Sequence, residues 1–199
     1  MPSRFRVRGI FRSVVYAIAR PLARTGVRPD TLTYFGLLLS LLAVLSLDIV
    51  RSSILFGAFV FLAGFFDGVD GAVARLNGTA TKKGALTDSI ADKVGEMIIL
   101  LSIGIAYPIS EMFRMPVSLW IFLCLFGWLM TSYTRARAEA LGVSDLDIGF
   151  GGRSERLLVL VIFSLLDLLL WGLVAVTIIG LGTAAYRLNH YKRQLSKDI

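Results

Sequence analysis

FFDGVDGAVARLNGTATKKGALTDSIADKVGE, residues 65–96, lies between long apolar runs yet carries four carboxylates: Asp67, Asp70, Asp88 and Asp92. Arg75, Lys82, Lys83 and Lys93 surround them. Residues three or four apart share a helix face. Read as two helices around a turn at 76–83, the stretch puts Asp67, Asp70, Gly71, Ala74 and Arg75 on one stripe. Gly84, Asp88 and Asp92 fall on another. A loop this short makes the two helices antiparallel neighbours, with the two stripes facing each other.

Outward from that stretch the chain is apolar. Of its 199 residues, 56% are hydrophobic, and mean hydropathy is +0.73. A soluble domain has roughly 45–50% even with glycine counted. The expectation is an all-α integral membrane protein. A spanning helix needs roughly 20 mostly apolar residues, and six segments fit: 31–50, 53–75, 84–107, 117–140, 153–170 and 172–190. The breaks between them are Arg51-Ser52, Asn77–Lys83, Pro108–Pro116, Gly142–Gly152 and a point near Trp171. Asp30 or Thr31 reads as the first N-cap. Before it, Arg4, Arg8, Arg12, Arg20 and Arg24 interleave with Phe5, Ile10, Phe11, Val14, Val15 and Ile18. That is a basic amphipathic helix lying at the interface. The expected organisation is one domain over 1–199: interfacial helix 1–28, six-helix bundle 31–190 and cytoplasmic tail 191–199. The length leaves no room for a separate soluble domain, and the arginine-broken start does not read as a secretory signal.

With the N-terminus in the cytoplasm, 19 of the 21 Lys and Arg fall on or nearest that side, all but Arg51 and Arg114. The expected protein is therefore multi-pass in the cell (plasma) membrane, with both termini cytoplasmic. Its net charge of +7 faces the lipid bilayer and anionic substrates, and no nucleic-acid module accompanies it. A single cysteine, Cys124, and a single histidine, His190, exclude an intramolecular disulfide and a zinc site. Any metal must take oxygen ligands.

An ionised Asp at the centre of a membrane helix costs roughly 2.5–3.5 kcal/mol, and four together repel. A hydrated cavity with hard divalent cations between the carboxylates resolves both problems, with Mg²⁺ first and Mn²⁺ or Ca²⁺ as substitutes. The alternative is a set of buried salt bridges to Arg75, Lys93 and Arg135. Four carboxylates beside Gly71, Ala72 and Ala74, which leave room for a ligand, argue against it.

The complete spacing over residues 67–92, D-x-x-D-G-x-x-A-R-x₈-G-x₃-D-x₃-D, resembles the signature of the CDP-alcohol phosphotransferases. RPDTLTYFGL, residues 28–37, is similar to the family's approach to its first spanning helix. The resemblance implies six spanning helices behind an interfacial helix, a homodimer, and a membrane enzyme. Such an enzyme moves a phosphatidyl-type group from a CDP-linked lipid to an alcohol and releases CMP. It implies Asp67, Asp70 and Asp88 as ligands to two metal ions, with Asp92 as general base in reach of a metal and Asp88 beside it in the catalytic pair. It places Asp67, Gly71, Ala74 and Arg75 against the CDP-lipid. Thr79 and Thr81 would bond the cytidine or its phosphates, although a loop threonine is as often a turn residue.

A second polar region, SYTRARAEALGVSDLDIGFGGRSERL, covers 132–157. Ser132, Arg135 and Glu139 share a helix face, Arg153 and Arg156 open the next helix, and Arg187 lies near the end of the last. Several arginines suit a phosphorylated acceptor better than a neutral alcohol; flanking positive-inside charge is an equal account. The S-Y-x-[KR]-A-R-A-E and R-x-E-R elements resemble those of inositol-phosphate-using members of the family. That implies Ser132, Arg135, Arg153 and Arg187 on the phosphate of a polyol acceptor, myo-inositol phosphate. Glycerol 3-phosphate is the alternative acceptor. Gly149, Gly151 and Gly152 are expected to leave their loop flexible, as a gate. Two further readings remain. UbiA-like prenyltransferases also use Asp-rich helices and Mg²⁺, but they are larger and lack the D-G-x-x-A-R run. A divalent-cation transporter would need a route to the far side of the membrane.

Overall fold

The computed structural model describes residues 7–146, 148, 149 and 151–196. Seven helices account for nearly all of them: α1 Val7–Arg24, α2 Pro29–Asp48, α3 Ser53–Leu76, α4 Lys82–Ala106, α5 Val117–Ala140, α6 Arg153–Leu165 and α7 Leu169–Leu195. The segments Glu111–Met112 (β1) and Met115–Pro116 (β2) pair as a small antiparallel hairpin. Phe113 and Arg114 turn it with φ of 55° and 60°.

The helix starts follow capping chemistry. The N-cap of α2 is Arg28, two residues before the expected Asp30 and three before Thr31. Pro29 occupies the first turn, where its missing N–H costs nothing, and Asp30 complements the helix dipole there. The N-cap of α3 is Ser52, whose side chain accepts from Leu55 N. α4 starts at Thr81, whose Oγ1 accepts from Gly84 N at 3.0 Å.

Four helices, α2, α3, α5 and α7, are long and apolar enough to cross a membrane. Two of the six expected spans do not qualify by that measure. α4 carries Asp88, Asp92, Lys93 and Glu96 on one side, although Leu86, Ile90, Val94, Leu101 and Ile105 stay exposed as an apolar stripe. α6 has 13 residues, about 20 Å at 1.5 Å per residue. It ends at Leu165 rather than 170. The chain breaks at Leu166–Leu168, with Asp167 at φ 59°, so α7 starts earlier than Trp171. α7 also runs on to Leu195, making helix of most of the expected tail.

The packing corrects a second expectation. α3 and α4 are not laid along each other. α2 packs against both, α6 bridges α3 and α7, α5 packs on α7, and α1 lies on α3. The carboxylate stripes therefore line a gap, which polar ligands need, rather than a helix–helix seam. The main core holds Phe56, Val60, Leu100, Ile103, Trp128, Leu160 and Leu173. A second cluster, Ala19, Leu32, Val69, Ala72 and Val73, fixes α1 to α2 and α3. Gly68 lets α1 approach: a Cβ there would lie 3.5 Å from Val15. Ile10, Val14 and Ile18 remain exposed on the outer stripe of α1, as an interfacial helix requires.

Described residues before α6 pack against the bundle. Ile148 and Val143 are buried with Ala138 and Tyr191. A Cβ on Gly151 would lie 2.3 Å from Thr183 Oγ1 and 2.6 Å from Ile179 Cγ2. Glycine at 151 serves close approach to α7.

Candidate active site

Asp67 and Asp70 leave α3 within one helical turn, and Asp88 leaves α4 opposite them. One oxygen from each lies within 4.8 Å of the others. Three hard anionic donors this close fit a divalent cation. Asp70 is 4% exposed, and Thr33 of α2 donates to its Oδ2 at 2.7 Å. That bond fixes the carboxylate from behind, as ligand-orienting partners do. Asp92, one turn beyond Asp88, faces the same gap.

A cation already lies across it. Arg153, the first residue of α6, places Nη1 2.6 Å from Asp67 Oδ2 and 2.9 Å from Asp92 Oδ1. The salt-bridge alternative named Arg75, Lys93 and Arg135 as partners. The guanidinium found between the carboxylates is Arg153, the residue expected on the acceptor phosphate. Lys93 instead pairs with Glu96 at 2.7 Å.

Beside the carboxylates a cavity of about 500 Å³ opens between α1, α3 and α6. Arg12, Asp67, Arg75, Asp88 and Arg153 form its charged part, with Gly71 beside Arg75. Phe11, Val15, Phe61, Phe65, Leu157 and Leu158 form an apolar wall. A Cβ on Gly71 would sit 3.3 Å from Arg75 Nη1, so glycine keeps the guanidinium low against α3. Ala74 is half-buried and outside that lining. Thr81 is spent as the α4 cap, and the Thr79 N–H bonds Ala74 O in the turn.

Two residues missed in the sequence enter here from α1. Tyr16 accepts a hydrogen bond from Arg75 Nε at 3.4 Å, and Arg12 lies over the Tyr16 ring at 5.8 Å. Both line the cavity. The hydrogen bond and charge of Arg75 hold the Tyr16 phenol below its ordinary pKa. The available signal was polar spacing: Arg12 and Tyr16 lie four apart on the face of α1 away from Ile10, Val14 and Ile18.

The remaining acceptor residues do not gather in this cavity. Among the described residues its lining includes Arg153 but not Ser132, Arg135 or Arg187. Arg135 is exposed, and Ser132 Oγ donates to Trp128 O at 3.3 Å. Arg187 is 5% exposed. It donates from Nε to Ile148 O at 3.0 Å and from Nη1 to Thr131 O at 2.8 Å. It ties α7 to α5 and to the 148 loop.

Comparison with known proteins agrees with this geometry. Residues 26–188 match the CDP-alcohol phosphatidyltransferase family. The archaetidylinositol phosphate synthase of Pyrococcus horikoshii is 33% identical over 190 residues, 96% of this chain and 97% of its own. A phosphatidylinositol phosphate synthase of Mycobacterium tuberculosis is 33% identical over 156 residues, 78% of this chain and 70% of its own. The crystal structure of the M. tuberculosis enzyme with CDP-DAG bound superposes with a TM-score of 0.75 at 27% identity, covering 90% of this chain and 94% of that one. Its complex with manganese and citrate gives a TM-score of 0.74 at 27% identity, covering 89% and 88%. The aspartate spacing, the membrane-helix bundle and these matches together show that the chain belongs to the CDP-alcohol phosphatidyltransferase family.

Proposed function

We propose that this chain transfers the phosphatidyl-type group of a CDP-lipid, carrying diacylglycerol or archaeol, to a hydroxyl of myo-inositol phosphate and releases CMP, in phospholipid biosynthesis. The observation that carries the reading is the approach of Asp67, Asp70 and Asp88 within 4.8 Å, at the edge of a cavity charged on one side and apolar on the other. The acceptor is supported by the relatives, which are named as inositol phosphate lipid synthases.

In this reading Asp67, Asp70 and Asp88 hold two divalent ions, Mg²⁺ first and Mn²⁺ as substitute, with Asp92 alongside. Divalent metal held by these carboxylates would supply neutralisation of pyrophosphate charge. Asp92, assisted by Asp88, orients the acceptor hydroxyl and takes its proton at a carboxylate oxygen. Arg75 holds a phosphate of the CDP-lipid as a fork, with Gly71 and Ala74 leaving it room. Thr79 and Thr81 order the turn above the nucleotide. Arg153 and Arg135 meet the acceptor phosphate, while Ser132 and Arg187 shape the wall behind it. The apolar wall takes the lipid tail.

The setting is a single domain in the plasma membrane. α2–α7 cross it, α1 lies on the cytoplasmic surface, and both termini and the site face the cytoplasm. The charge distribution supports that orientation. The apolar stripe of α4 supports its crossing, and the exposed apolar faces of the bundle support a homodimer.

The test is CMP release from CDP-DAG with inositol phosphate, glycerol 3-phosphate, serine and free inositol side by side. The expected result is release with inositol phosphate, lost on chelation of divalent metal. Preference for glycerol 3-phosphate would move the acceptor. Release with none of the four would overturn the proposal.

A further inference from the structure

Arg153 has its two ends on different carboxylates. While Nη1 bridges Asp67 and Asp92, Nε points at Glu96 Oε1, 3.4 Å away. Glu96 lies one helical turn beyond Asp92 on the same face of α4 and is 1% exposed. Its Oε2 holds Lys93 Nζ at 2.7 Å. Its Oε1 lies 3.8 Å from Nη2 of Arg156, whose guanidinium stacks over the Trp128 ring at 4.8 Å. The contact with Arg153 is nearly made but not closed. Both Arg153 Nε and Glu96 Oε1 are buried, and among the described residues neither has a hydrogen-bond partner. A buried donor and acceptor left open to each other are costly. A small movement of the guanidinium closes them.

A divalent ion at the aspartates would require that movement. Asp67 and Asp92 serve both the guanidinium and the metal, and two cations cannot share them without repulsion. An arginine driven off with no other anion would be left charged and unpaired in the interior, which is strongly unfavourable. We infer that Glu96 is the positioning residue for Arg153. It offers the guanidinium a second carboxylate seat, so that metal takes Asp67 and Asp92 while Arg153 stays beside the site with its Nη atoms toward the acceptor phosphate. The exchange of partners rests on the metal-holding part of the proposed function and not on its acceptor; only the last clause depends on the acceptor.

The experiment is a double-mutant cycle on Mn²⁺ binding to the substrate-free protein in nanodiscs, read by electron paramagnetic resonance of free Mn²⁺. Without its second seat, Arg153 leans harder on Asp67 and Asp92. E96Q is therefore expected to raise the Mn²⁺ Kd about tenfold. R153Q lowers the Kd, and adding E96Q to R153Q shifts it less than about twofold. A merely structural Glu96, or one acting as one more negative charge near the metal, would give equal E96Q shifts in both backgrounds. Equal shifts, or no shift in the wild-type background, overturn the inference. Should E96Q not yield folded protein, E96D keeps the charge but shortens its reach. It is expected to raise the Kd several-fold, again only when Arg153 is present. Loss of the inositol-phosphate reading would appear as absent CMP release with an intact cycle; failure of the cycle leaves the CMP-release result standing.

Discussion

The two ends of the bundle treat polar groups in opposite ways. At the Asp167 end, Ser53 Oγ donates to Asp167 Oδ1, and Ser164 Oγ donates back to Ser53 O, both at 2.5 Å. Trp120 Nε1 reaches Met112 O at 3.0 Å, and Phe113 sits edge-on to Trp171 at 5.5 Å. Gly57 leaves so little space that a Cβ would come within 2.9 Å of Ser164. At the Arg153 end, a 500 Å³ cavity stands open, three carboxylates crowd together, and the buried Arg153 and Glu96 atoms face each other unbonded. One end has its volume filled and most of its polar groups paired, the exception being Asp48, whose carboxylate oxygens are buried without a hydrogen-bond partner among the described residues. The other holds charge and space in reserve, an arrangement that weakens a fold and serves a ligand.

Mutations at the two ends should therefore fail differently. The largest effect is expected for Asp92→Asn at the open end. Turnover should fall about 10²–10⁴-fold, the range for a lost general base, with CDP-lipid affinity largely kept and thermal stability no lower than wild type. Full turnover in CMP release would remove Asp92 from that role. At the closed end, Gly57→Val overpacks Ser164. It should destabilise by about 1–3 kcal/mol, seen as a lower thermal unfolding midpoint, while kcat of the folded fraction holds. Unaltered stability would show that this end is looser than its geometry. The smallest effect tests whether α1 belongs to the open end. Tyr16→Phe removes the hydroxyl that accepts from Arg75 and should raise the KM for CDP-lipid by a few-fold, within the range of exposed polar pairs, with kcat unchanged. An unmoved KM would return α1 to a purely anchoring role.

The open end was the more legible in the sequence, for a physical reason. Asp67 and Asp70 sit on one helix, Asp88 and Asp92 on another, so helical periodicity alone places each pair. Only the separation of α3 and α4 was hidden, because it follows from α2 packing against both, which helical periodicity does not report. Arg153 was legible as a site residue but not its partners, since α6 is brought to α3 and α4 by tertiary packing. Glu96 continues the Asp88–Asp92 interval by four residues, but spacing along α4 does not reveal that it meets Arg153 of α6. The α6–α7 break was hidden between Leu166 and Leu168. One aspartate in a left-handed turn ends a helix there, with no glycine or proline to mark it.

The two-natured cavity has a consequence for how substrate arrives. Its apolar wall runs between α1 and α6, and its charged floor lies at the carboxylates. A tailed nucleotide is sorted by this shape before any bond changes. With the proposed membrane setting, its hydrocarbon need not leave the bilayer, and it finds the site by a search within a plane. The soluble acceptor searches a volume. The reaction joins molecules that diffuse in different dimensions, and the product keeps the tail that leads it back into the sheet.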